Sequence, residues 1–388
     1  MLQRKCSTSC RITMGLSMYK CKNEAWSHKA LVAKKTSAAW ALGGAIATIL
    51  SAFTLSAPAS AWEQPYQIIG TIPPVPGGVA DVFVYVDSRR GKVYAGEEVI
   101  DSTTDKVIKD FPGYSVVAAD PIHGKVYART SGASLSIIDE DTDTVTGTVG
   151  THVDPAHAAV DPLHERLILI DNAPPPSVTV TDLNTGEINT FSLLPVTGQP
   201  RAVAVDFQRE TIYVSIQSDS SPYTTGPYLI AAIDEKTGQV KATIPIPVIS
   251  QWLSVDQESG LLYAAGTGYN DYAPGNPWPY GIEKLPGTAI VIDTRTNQII
   301  KTVVTGPADS PSSFNTVTEE VVPAPRSGIV YATNFSNSTV VAFNEHSGNV
   351  TATIAMPEKM FGIGIDQFRR KVYAQAPLTG TLYIISAP

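Results

Sequence analysis

Past residue 61 the sequence contains no cysteine. All three cysteines of the 388-residue chain, Cys6, Cys10 and Cys21, lie upstream of that point. This excludes a disulfide framework, a thiolate zinc site and a cysteine nucleophile from residues 62–388. None of the three directly follows the apolar run, where a lipoprotein cysteine would stand. No Cys-x-x-Cys-His occurs, so no haem attachment is implied. Basic residues are scarce as well. The chain has 28 Lys and Arg against 36 Asp and Glu, and eight of those bases but only one acid fall in residues 1–61. Residues 62–388 therefore carry 20 bases against 35 acids, a net charge of −15. Such a surface repels phosphate backbones, so nucleic acid is not an expected partner. Catalytic signatures are missing too. There is no phosphate-binding glycine loop, no nucleophile elbow and no zinc-protease helix.

The cysteine-bearing N-terminal part reads as an export segment, residues 1–61. Lys29, Lys34 and Lys35 form a basic n-region, Trp40 to Leu55 is an apolar, alanine-rich run, and Ala59-Ser60-Ala61 is a small-x-small cleavage site. Cleavage there leaves Trp62 as the mature N-terminus, with Met14 or Met18 as an alternative start. A retained signal anchor is the other reading. The apolar run is short for a membrane span and ends in Ala-Pro-Ala-Ser-Ala, which favours cleavage. The expected location is then periplasmic, cell-envelope or secreted, with no membrane span after cleavage.

What remains is dominated by one phrase repeated seven times, roughly Val-x-x-Asp-x-x-x-Gly-x-Val-Tyr-Ala. Its Tyr position is filled by Tyr94, Tyr127, Ile168, Tyr213, Tyr263, Tyr331 and Tyr373. Seven residues earlier stand Asp87, Asp120, Asp161, Asp206, Asp256, Ala324 and Asp366. A period of about 40–45 residues with several short strands per unit is the mark of a β-propeller. The fold expected is all-β, a seven-bladed β-propeller with four strands per blade over residues 62–388. In the second unit the strands read Ser115–Ala119, Lys125–Arg129, Ser134–Ile138 and Val145–Val149. The chain ends on a third strand, Leu382–Ser386, and its fourth is available in Tyr66–Ile72. The N-terminal strand is thus expected to complete the last blade and close the ring. The Asp column has a structural role: each carboxylate can accept backbone N–H groups two residues on, inside the turn. Asp101, Asp139, Asp182, Asp234 and Asp293, at the ends of third strands, read in the same way. Two residues before the column stand Tyr85, Ala118, Ala159, Ala204, Ser254, Val322 and Gly364. Most are small, as crowding at a propeller axis requires.

Lys125-Val126-Tyr127-Ala128 and Gly328–Asn334 resemble the YVTN repeat. Ala289–Asp293 followed by Thr294–Val303 resembles the same family's Val-x-Val-Ile-Asp-x-x-Thr-x-x-Val phrase. The resemblance is to the YVTN/YncE-like seven-bladed propellers and covers Tyr66 to Ser386. It implies the fold and an exported location. It carries no catalytic residue across, because the family shares no catalytic signature. Unit three departs with Leu167-Ile168, and unit six with Ala324-Pro325 and Phe343-Asn344.

Function is expected on one face. Loops after second strands and before first strands emerge together, and all long insertions are of these kinds: Gln217–Tyr228, Gly266–Gly287, Gly306–Thr318 and the smaller Asn172–Pro176. The Gly266–Gly287 insertion carries Tyr269, Tyr272, Trp278 and Tyr280, a rigid aromatic surface. Counting back five from the Asp column gives Val82, Ser115, Ala156, Arg201, Gln251, Glu319 and Phe361. Counting back four gives Phe83, Val116, His157, Ala202, Trp252, Glu320 and Gly362. His157, Arg201, Glu319 and Glu320 are the candidate catalytic residues, expected to converge at the channel mouth. Trp252, Phe361, Tyr269, Tyr272, Trp278, Tyr280 and His152 are the candidate ligand or partner contacts. No metal ligand set is assigned, since His152-x-x-x-x-His157 is not a metal motif, and no cofactor is implied. The reading favoured is a monomeric binding or interaction module taking a protein, glycan or small-molecule ligand. A hydrolase or lyase of lactonase type at the channel mouth is the alternative. A propeller subunit of an electron-transfer or amine-oxidising complex ranks last.

Overall fold

The computed structural model describes residues 64–74, 83–130, 132, 134–151, 157–171, 176–217, 228–266, 269–270, 283–284, 286–307 and 318–388. The chain divides into two units, Met1–Ala59 and Ser60–Pro388, and every described residue belongs to the second. That unit is all-β, and no helix among the described residues is long and apolar enough to cross a membrane.

Seven antiparallel four-stranded sheets account for the repeats. Blades 1 to 6 span residues 84–110, 115–150, 158–192, 199–246, 250–304 and 318–355. Blade 7 combines Ile363–Asp366, Lys371–Gln375 and Leu382–Ser386 with the N-terminal strand Ile68–Ile72. Each blade's first strand touches the first strands of its two neighbours, including blade 7 against blade 1, so the inner strands form a closed ring. The molecule is a seven-bladed β-propeller.

The repeat phrase explains how blades lock together. All seven residues of the Tyr column are at most 1% exposed, and burial of each such side chain contributes roughly 1.5–3 kcal/mol. Three of the hydroxyls bond across a seam to the next blade. Tyr213 donates to Asn297 Oδ1 at 3.0 Å, Tyr263 to Glu345 Oε1 at 2.6 Å, and Tyr373 to Asp105 Oδ1 at 2.9 Å. The Asp column works as read. Asp87 Oδ1 accepts from the Arg89 and Arg90 amides, and Asp120 and Asp161 repeat the pattern. The turns that follow need a left-handed residue. Gly124 supplies it at φ 64°, and any Cβ there would meet the Arg90 guanidinium of the preceding blade. At the axis, a Cβ direction on Gly364 is blocked by Val86 Cγ2 at 2.6 Å, so the small residues of the inner strands are sterically required.

Closure of blade 7 reproduces a hairpin turn from two chain ends. In blade 2 the Asp143 amide donates to Asp139 O at 2.9 Å, and Asp143 has φ 51°. In blade 7 the Tyr66 amide donates to Ser386 O at 2.7 Å, and Tyr66 has φ 68°. This corrects the expected strand Tyr66–Ile72: pairing begins at Ile68, because Tyr66 occupies the left-handed turn position. In blade 2 the observed strands, Ser115–Asp120, Lys125–Arg129, Ser134–Asp139 and Thr144–Gly150, extend the expected ones by one residue where they differ.

Candidate functional site at the channel mouth

The starts of the first strands are irregular. One-residue bulges fall between Val116 and Ala118, Pro200 and Ala202, Ser250 and Trp252, and Thr318 and Val321. A bulge re-aims the side chains beside it. Beside these bulges three rings meet: Trp252 at the blade 5 bulge, and Phe83 and His157 just before the regular first strands of blades 1 and 3. Phe83 stacks on Trp252 with centroids 5.5 Å apart and planes at 28°. His157 meets Phe83 edge-on at 5.7 Å. These rings and the small apolar residues Val117, Ala159, Ala204 and Val255 line a cavity of about 180 Å³ running into the channel.

The polar groups around this cavity have a consistent character. Trp252 Nε1 is buried and has no hydrogen-bond partner among the described residues, which costs about 1–3 kcal/mol if nothing accepts from it. Arg201, on the bulge before Ala202, donates from Nε to Gln217 Oε1 at 2.8 Å and from Nη2 to Gln199 Oε1 at 2.9 Å. Both partners are neutral, and no carboxylate among the described residues pairs with it. His157 is pushed down to about 4 by burial, with the charges of Arg129 and Arg201 adding to the effect. It is therefore neutral at pH 7, with one ring nitrogen a donor and the other an acceptor. Arg129 ends the second strand of blade 2, opposite Ser115. It escaped the sequence reading because only first-strand positions were counted. The available signal was a lone base two residues after Tyr127.

The structure separates the expected acidic pair from this group. Glu319 and Glu320 do not line the cavity. Glu320 is fully buried, and its Oε2 accepts the Ile363 amide at 2.9 Å, tying blade 6 to blade 7. Glu319 is 8% exposed, and burial pushes its carboxyl up to about 8. Glu320 is thus turned to the seam, which corrects its expected place beside His157 and Arg201. The bulge in blade 6 spans both glutamates, so counting back from the column does not preserve their direction. Phe361 also lies outside the lining. Its backbone serves the seam, with its carbonyl accepting from Thr333 Oγ1 at 2.6 Å. Trp252 and His157 are the candidates that line the cavity, and Arg201 adjoins it through the lining residue Ala202. His152, Tyr272, Trp278 and Tyr280 lie outside the described residues. Tyr269 is described only by its backbone, which pairs with Lys284 in a short ribbon.

At the opposite end, Asp161, His164 and Glu235 place one possible metal-ligating atom each within 4.8 Å of one another. The neighbouring seams explain this cluster. In blade 1 the residue three beyond the column is Arg90, whose Nη1 lies 2.9 Å from Asp87 Oδ2 and 3.5 Å from Glu140 Oε2. In blade 3 the same position is His164, with Nδ1 2.7 Å from Asp161 Oδ2, and Arg166 Nη1 lies 3.2 Å from Glu235 Oε1. A guanidinium thus already faces the buried acid pair, and the cluster reads as an inter-blade tie.

Solved structures resemble this chain in fold. The β-propeller domain of Cps50 (Swd1) from Myceliophteria thermophila superposes with a TM-score of 0.64 at 12% identity, over 84% of this chain and all of that domain. Kuenenia stuttgartiensis hydrazine synthase gives a TM-score of 0.63 at 13% identity, over 83% of this chain and 99% of that one. No protein-family model matches the sequence, and no curated protein does. At such identities the likeness is one of architecture alone.

Proposed function

We propose that this chain is an exported binding module of YVTN type whose ligand contacts the channel mouth on the loop-bearing end. One observation carries the reading. Phe83, His157 and Trp252 depart from the small residues typical of inner strands and meet at the entrance of an apolar cavity. Concave apolar sites with a few directed polar groups are the ordinary form of ligand pockets. The leader-like N-terminus supports export.

The hydrolase or lyase reading has weaker support. It keeps His157 in the cavity with Arg201 adjoining, and loses Glu320 to the blade seam. An imidazole whose proton affinity is lowered this far is also a poor general base. The electron-transfer reading gains nothing from the likeness to hydrazine synthase, which concerns the fold.

Two measurements test the proposal. N-terminal sequencing of the full chain expressed with its leader should begin at Trp62; an intact leader argues against cleavage. Native mass spectrometry of the purified protein should show a bound species that Trp252→Ala loses without a change in melting behaviour. A bound species retained by that variant places the binding surface elsewhere.

A further inference from the structure

We infer that the channel mouth takes a small carboxylate carried on a flat apolar body, its ring against Phe83 and Trp252 and its charge toward Arg201 and Arg129. The inference rests on the binding reading above and gives that site a ligand class.

The argument is one of complementarity. The lining contains no charged side chain; Arg201 adjoins it through the lining residue Ala202. Its buried unsatisfied group is a donor, the Trp252 indole N–H. Arg201 is held by two amide oxygens, which fix its plane without neutralising it. A guanidinium held in place and still charged is preorganised for an incoming carboxylate. Arg129 forms no ion pair among the described residues; it ends Lys125–Arg129 opposite Ser115, in the blade whose first strand supplies the lining residue Val117, and its charge is felt at His157. His157 itself stays neutral, so it does not compete for the ligand's charge.

The seam arginines supply the contrast. At the other end of the blades, Arg90, Arg166, Arg209 and Arg369 each lie within 3.2 Å of a buried carboxylate. The cavity volume, about 180 Å³, falls below the roughly 300–1,000 Å³ of drug-sized sites. A single ring is the matching size. The walls deeper in are Val and Ala, which favours a ligand with one charged end over a compact dianion such as phosphate.

The test is a charge series of equal shape, measured by calorimetry or ligand-observed NMR on the full chain. Benzoate, benzamide and benzylammonium are the probes. Benzoate should bind at least about tenfold more tightly than benzamide, as expected for a charge-assisted pair, and benzylammonium should not bind. Arg201→Gln and Arg129→Gln should each weaken benzoate by about tenfold and leave benzamide unchanged. Phe83→Leu should weaken both, with its melting curve recorded as a control on folding. Equal affinity for benzoate and benzamide, sensitive to Phe83→Leu, overturns the anionic class while leaving the mouth as a binding site. Benzoate binding indifferent to both arginine variants overturns the assignment of the charge. Failure of benzoate to bind overturns the inference outright, and the wider binding reading then stands or falls on its own Trp252→Ala measurement.

Discussion

Glu140 offers the sharpest test of the electrostatics at the blade seams. It is fully buried, and no N–H or hydroxyl among the described residues donates to its oxygens within hydrogen-bond reach, which leaves the Asp87 carboxyl as the group it can share a proton with. Asp87, 2% exposed, faces it across the seam between blades 1 and 2. Arg90 bonds preferentially to Asp87 and Asp141, at 2.9 and 2.7 Å, and stands 3.5 Å from Glu140. Burial first, and then Asp87, pushes the Glu140 carboxyl up to about 9. In the unfolded chain its value is about 4.3. Between those values the folded state binds the proton and the unfolded state does not. Stability is therefore highest below the lower value and falls as pH rises toward the upper one. One fully linked proton gives a slope of about 1.4 kcal/mol per pH unit, which is an upper limit for a group sharing its proton with Asp87. Glu140→Gln keeps the shape and can still donate to Asp87, but it cannot ionise. The variant should match the wild type near pH 5 and exceed it near pH 8 by about 2 kcal/mol, read from urea unfolding followed by circular dichroism. The reasoning fails if Glu140→Gln is less stable by a constant amount at every pH. That result would mean an ionised Glu140 paired with Arg90.

Two further predictions concern the mouth and the closure. His157 is held at about 4, below the ordinary histidine value, so the unfolded state takes its proton first as pH falls. Its contribution to stability is complete above about 6.5 and is lost between about 6.5 and 4; NMR titration of the imidazole should show a midpoint near 4, and a midpoint above 6 would contradict its burial. Deleting residues 62–73 removes the strand Ile68–Ile72 and the Tyr66 turn bond. The variant should lose the whole cooperative unfolding transition, because an open ring exposes the Ile385 edge and frees both neighbouring seams; a normal transition with only blade 7 affected would show closure to be dispensable.

How much of this was legible in the sequence follows from what repeats. The Asp and Tyr columns recur because each blade needs the same turn and the same seam filler, so counting alone locates them. The small residues at Ala118, Ala159 and Gly364 follow from crowding at the axis, a constraint shared by every blade. Counting back from the column also named Phe83, His157 and Trp252 as one register, and these rings do meet. It failed for Glu320, which holds the same formal place. In blades 4 and 5 the bulge ends at Ala202 and Trp252, whereas in blade 6 it extends to Val321. A one-residue difference in where a strand bulges turns a side chain from the channel to the seam. Bulge position has no sequence signature of its own here, so that error could not be avoided by closer reading. Arg129 is different, since its neighbour across the ladder, Ser115, was already on the counted ring.

The departures from the repeat separate into two kinds, and the distinction bears on function. At the tight-turn end, departures come with local compensation. Ala324 replaces the column Asp where Ala387 stands at the place that holds Glu140 or Glu235 in other blades, and His164 replaces Arg90's equivalent where Arg166 faces the acid pair. Each substitution there is answered by its neighbour, as a structural seam requires. At the channel mouth the departures are not answered. Trp252 brings a buried N–H without an acceptor, and Arg201 and Arg129 bring charge without a described counter-ion. Buried polar groups left unsatisfied by the chain itself are costly. Unpartnered polar atoms occur at the seams too, as at Glu140, where a raised proton affinity removes the charge. At the mouth the unpartnered donor belongs to a residue that lines a cavity, where a ligand can supply the acceptor, and Arg201→Gln measured against benzoate tests that reading directly.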